Sequence, residues 1–182
     1  MAQGLFGQWR AAQGRQSRAE RYVQTLMNDP AEGAIRALAS FGDGDEDHAR
    51  WELRYARRAI GLLISERDAL DDRTASDVAA ALEDAHVADA RVAKDKRDVA
   101  AQQLNTRLRE YRAALQRRAD PAPTSERLAR VLLTFAGVAW GRADAMALAS
   151  DLAATIVGEC NAALRDAYGE ATLPEDVKPS EL

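Results

Sequence analysis

The stretch Asp72-Arg73-Thr74-Ala75-Ser76-Asp77 opens a run that continues to Arg118 without a glycine or a proline, and Pro121 and Pro123 end it. Asp, Thr and Ser at its start supply the short polar side chains that begin helices. Its apolar positions Val78, Leu82, Ala85, Val92, Val99, Leu104, Leu108, Tyr111 and Leu115 recur at near-helical steps. Read as one helix over about 74–119, the run is roughly 65–70 Å long at 1.5 Å per residue. Such a rod obliges the rest of the chain to lie alongside it. The middle, Asp89 to Asp98, is highly charged, so one face there is expected to be solvated or the seam thin.

Working outward, Thr124 and Ser125 follow the Asp120-Pro121-Ala122-Pro123 break, and a second helical pattern runs over about 125–168. Leu128, Leu132, Phe135, Ala139, Met146, Ala149, Leu152, Ile156, Cys160, Ala163 and Ala167 form its stripe, Gly137 and Gly141 can bend it or allow a close helix approach, and Gly169 closes it. Upstream, the acidic turn Asp43 to Asp47 favours a helix from about Glu46 to Asp71. Leu53, Ala56, Ile60, Leu63 and Leu70 form its stripe, widened by Trp51, Tyr55, Ala59 and Leu62. Asp29-Pro30-Ala31-Glu32 reads as a capped start for a short helix through Ile35 and Leu38, ended by Gly42.

The expected fold is therefore all-α: an elongated antiparallel bundle of three or four helices, dominated by two long ones and preceded by an N-terminal helical arm. The expected organisation is a basic amphipathic arm over 1–28, a bundle over 29–169 and a loose acidic tail over 170–182. In the arm, Leu5, Phe6 and Trp9 share one helical face, and Arg10, Arg15, Arg18 and Arg21 outnumber Glu20.

Composition limits function more than it reveals it. Ala and Leu dominate the apolar 47%, and aromatics are only 5%. A net charge of -4 makes nucleic acid an unfavourable partner, although Arg107, Arg109, Arg112, Arg117 and Arg118 cluster near one end of the rod. The single cysteine, Cys160, allows no intrachain disulfide, and no apolar run approaches a membrane span. A cytoplasmic address follows by default.

Two constellations stand out. Glu83-Asp84-Ala85-His86 puts a carboxylate and an imidazole on adjacent turns. In the antiparallel arrangement this pair lies level with Glu66, Glu159 and Cys160. Glu66, Glu83, His86 and Glu159 are then an alternative metal-binding layer. It resembles half of a ferritin-like carboxylate site, without the second Glu-x-x-His. The other is the arm, whose Leu5, Phe6, Trp9 and Arg10 suit contact with a partner or with an anionic membrane surface. Gly4-Leu5-Phe6, Asp29-Pro30 and a long charged rod resemble the phage-shock protein A and membrane-remodelling family, which implies peripheral membrane binding. The acidic turn at Asp43 and the Ala-rich last helix depart from that family.

Leu5, Phe6 and Trp9 are also explained by docking on the bundle, and Cys160 by core packing. The favoured functional expectation is a non-catalytic interaction or scaffold protein that self-associates or binds a protein partner through helical surfaces. Membrane-surface binding is the alternative, and a metal-binding bundle the second alternative.

Overall fold

In a computed structural model, residues 2–68, 72–117, 120–139 and 141–169 are described, with the backbone alone for residues 2–12. Among the described residues the regular structure is all helix, with no strand. The elements are α1 (Ala2–Leu26), α2 (Glu32–Ala39), α3 (Glu46–Asp68), α4 (Asp72–Val87), a 3-10 turn (Lys94–Lys96), α5 (Arg97–Gln116), α6 (Thr124–Phe135) and α7 (Ala143–Tyr168). Leu70, Arg118, Trp140 and the expected tail at 170–182 lie outside the described residues.

The all-α expectation holds, but neither long helix does. The run expected at 74–119 ends at Val87 and resumes at Arg97 in the reverse direction. Residues 79–87 and 101–108 face each other across one cleft. In a single helix, Ala79 and Leu108 would stand about 43 Å apart. The break is made by Asp89. Its Oδ1 accepts the main-chain N–H of Arg91 at 3.1 Å, an Asx-type turn, and the Asp89 carbonyl accepts from Val92 N at 3.0 Å. Val92 is then buried where a straight helix would have carried the chain away.

The run expected at 125–168 is interrupted after α6, at Phe135, by a Schellman cap and resumes with α7 at Ala143. Gly137 takes φ +69°, Val138 N donates to the Leu133 carbonyl at 2.9 Å, and Gly137 N donates to Thr134 at 3.3 Å. Val138 is buried on the way out. The glycine thus turns the chain round, where a bend was expected. Beyond it α7 buries Ala145, Ala149, Ala153, Ile156, Cys160, Leu164 and Ala167 along one stripe.

The organising element is α3. It touches α1, α2, α4, α5, α6 and α7. Of its 23 residues 14 are buried, among them the charged Glu52, Arg54 and Arg58. Asp45 caps it, accepting the main-chain N–H of His48 at 2.9 Å. Asp29 and Glu32 form no capping box. The residue before α2 is Ala31, whose methyl side chain cannot cap, and the two carboxylates accept instead from Arg50 and Arg54 of α3. Gly61 lets α1 close on α3. Tyr22, fully buried, donates to the Gly61 carbonyl at 2.8 Å, and Leu26 packs where a Cβ would stand.

Candidate functional site

The most unusual chemistry lies where α3, α4 and the turn after α4 meet. Arg58, on the second half of α3, is fully buried. Its guanidinium donates to Asp89 Oδ2 at 2.6 Å and to His86 Nδ1 at 2.8 Å. Asp89 also accepts from Arg91 Nε at 2.7 Å. Arg91 continues to Asp29 at 2.7 Å and to the Met27 carbonyl at 3.1 Å, and Arg54 donates to the same Asp29 oxygen at 2.8 Å. One chain of bonds therefore ties the end of α1, the middle of α3 and the reversal after α4.

The charges respond to this setting. Burial alone would raise the Asp89 carboxyl, but bonds from the Arg91 side chain and main chain, and from Arg58, hold it at about 2. Burial weakens the Arg58 charge, and the Asp89 bond opposes that loss. Burial also lowers His86 below its ordinary 6.5, reinforced by Arg58 and opposed by the main chain of Ala100 and by Asp89. An arginine only donates, so His86 Nδ1 is the acceptor and the ring proton sits on Nε2. That Nε2 lies by the Ala100 main chain without a well-formed hydrogen bond, and Arg58 Nε has no partner either.

Both side chains line a cleft of about 380 Å³ between α3, α4 and α5. Ala59, Leu62, Ala79, Leu82, Leu104 and Leu108 supply its apolar walls, and Glu83 and Val87 stand at its exposed edge.

A second buried pair closes α5 onto α3. Arg107 donates from Nε and an amino group to the two oxygens of Glu52, at 3.0 and 2.5 Å. Its guanidinium also lies 4.2 Å from the Phe135 ring centre and 5.1 Å from that of Tyr55. The basic cluster on α5 is thus partly structural: Arg107 pairs with Glu52 and Arg112 with Glu66.

The alternative metal layer is corrected here. Glu66 is held by Arg112 at 3.0 Å, Glu159 by Arg57, and Glu83 is exposed, while His86 turns to Arg58. Among the described residues no group of three His, Cys, Asp or Glu side chains could hold a metal ion. Cys160 does not meet His86; its thiol reaches toward the Arg57 carbonyl, and burial pushes it up to about 12, only partly offset by Arg57.

The side chains of Leu5, Phe6, Trp9 and Arg10 lie outside the described residues, although α1 includes their backbone. The continuous rod behind the membrane-remodelling resemblance is absent, since the chain reverses after Val87. No described helix is long and apolar enough to cross a membrane. Comparison with known proteins finds no matching family model, no similar curated protein and no similar solved structure.

Proposed function

We propose that this chain is a non-catalytic helical interaction protein that binds a second copy of itself through the N-terminal end of α1. The observation that supports this reading is a difference in reach. α1 runs parallel to α4, with Arg15 paired to Asp77 at 3.5 Å and Met27 beside Ala88 in the groove between them. From Arg15 back to Ala2 the helix extends about 20 Å, whereas α4 begins only about 7–8 Å before Asp77. About 12 Å of α1 therefore runs past the first residue of α4, and that length carries Leu5, Phe6 and Trp9. An apolar set on a helix that outruns its neighbour needs a further surface to cover it.

The test is light scattering of the full chain beside a Leu5→Ser, Phe6→Ser, Trp9→Ser variant. A concentration-dependent mass that falls to the monomer in the variant supports the reading. A parent that stays monomeric at high concentration removes it. The second reading, contact with an anionic membrane surface, draws on Arg18 and Arg21, both exposed on the same helix. Sedimentation with phosphatidylserine vesicles separates the two: self-association survives without lipid, whereas a membrane contact shows only with it and fades with salt.

A further inference from the structure

The groove between α1 and α4, about 650 Å³, has unequal walls. α1 contributes Val23 and Met27, whereas α4 contributes Ala80, Ala81, Ala85 and Ala88, of which Ala80 and Ala88 are exposed. Alanines leave holes on a helix surface, and holes accept large side chains. The groove is also acidic: Glu20, Asp77 and Asp84 line it against Arg15 alone. At 3.6 residues per turn, Leu5, Trp9, Gln16 and Val23 fall within about 40° of one another around α1. Met27 extends that line, since its N–H donates to the Val23 carbonyl at 3.0 Å. The face of α1 that carries Leu5 and Trp9 past the start of α4 is therefore the same face that borders the groove.

We propose that this groove receives the N-terminal end of α1 from a second copy of the chain, each copy seating its Leu5, Phe6 and Trp9 in the groove of the other. The inference rests on the self-association proposed above and names the surface that meets the arm. Size, charge and length select this occupant. Leucine, phenylalanine and tryptophan are the large side chains that alanine-walled holes lack, and aromatic anchors dominate the centres of such contacts. Arg10 is the only charged residue between Ala2 and Gly14, so a positive segment meets a negative rim. The groove runs from Arg15 to Met27, about 18 Å of helix, and Leu5 to Trp9 takes up about 6 Å of it. An antiparallel register that sets Leu5 against Met27 also sets Trp9 against Val23 and Gln16 against its own copy. The contact is then the same on both copies and closes as a dimer, leaving no free arm to extend a chain.

The test is sedimentation equilibrium of the full chain and its variants. Ala80→Arg with Ala88→Arg obstructs the groove from exposed positions, where substitution spares the fold. This variant should keep the parent's helical spectrum and stay monomeric at concentrations where the parent is a dimer. Arg10→Glu should weaken association about fivefold at low salt and less at high salt. The register has its own readout. Gln16 and Gln24 are both exposed, and Cys160 is buried. Under mild oxidation Gln16→Cys should give a disulfide-linked dimer, whereas Gln24→Cys should not, its two copies lying about 24 Å apart along the helices. The proposal is overturned if the groove variant associates as the parent does, or if Gln24→Cys links as readily as Gln16→Cys. The Leu5→Ser, Phe6→Ser, Trp9→Ser variant judges the arm separately. If that variant is monomeric while the groove variant still dimerises, the arm's role stands and the groove is removed. A monomeric parent removes both.

Discussion

His86 is the residue at which sequence reasoning and structure part most instructively. Its spacing from Glu83 suggested a ligand pair, but its role is to accept a bond from Arg58 while remaining neutral. Burial, the largest influence, holds it below 6.5. The unfolded chain therefore takes up this proton first as pH falls. The stability His86 contributes is complete above that value and is lost progressively below it. Urea denaturation should show stability falling as the pH drops below 6.5. In His86→Gln, which keeps an acceptor for Arg58 but cannot titrate, that slope should flatten.

Gly61 makes a second prediction at this scale. A Cβ there would stand 2.9 Å from Leu26 Cδ1 and closer still to Cδ2. Gly61→Ala should cost about 1–3 kcal/mol by overpacking. In a Leu26→Ala background it should cost clearly less, a non-additivity that chemical denaturation can measure.

At the scale of elements, much was legible. The starts of α3 and α4, the close of α7 at Gly169 and its burying stripe through Ala149, Ile156 and Cys160 follow from residue type and spacing, whereas Thr124 and Ser125, expected as caps, lie inside α6, which Pro123 precedes without a side-chain cap. The two reversals were not. Gly137 was visible, but a glycine inside an apolar stripe reads equally as a bend or a stop, and only the bonds from Val138 and Gly137 decide for a stop. Asp89 gave less warning still. An aspartate among Ala88, Ala90 and Lys94 is an ordinary helix surface residue until Arg58 claims it from another element. The candidate site was hidden for the same reason. Arg58 and Glu52 look like solvent-facing charges unless their partners at Asp89 and Arg107 are known.

If the reversal after α4 rests on that pair, Asp89→Ala leaves Arg58 buried and uncompensated. It should lose about 3–5 kcal/mol. The double variant Arg58→Met, Asp89→Leu should lose less than the single one, as replacing both ions with apolar side chains removes the orphaned charge. Thermal or urea unfolding of the three proteins checks the order.

For the whole molecule, the centre moves from the glycine-free run at 72–118 to α3. The width of its apolar stripe, from Trp51 and Leu53 to Leu62 and Leu63, was the sequence signal that it is surrounded. Charges within it masked the signal, since an arginine counts against burial in any periodicity argument. Hydrogen exchange should be slowest for the amides from Glu52 to Ser65, because α3 is covered by six other helices. If α4 or α5 exchanges more slowly than α3, that placement of the centre is wrong.

The exposed, lysine-bearing turn before α5 looks like a hinge between separable halves, yet the pair formed by Glu52 and Arg107 spans it. A chain severed there would strand an anion in one piece and a cation in the other, each inside apolar surroundings. Expressed separately, the two pieces should be poorly folded; mixed, they should recover a common helical spectrum. Complementation, rather than independent life of either half, is what a salt bridge placed across an apparent seam entails.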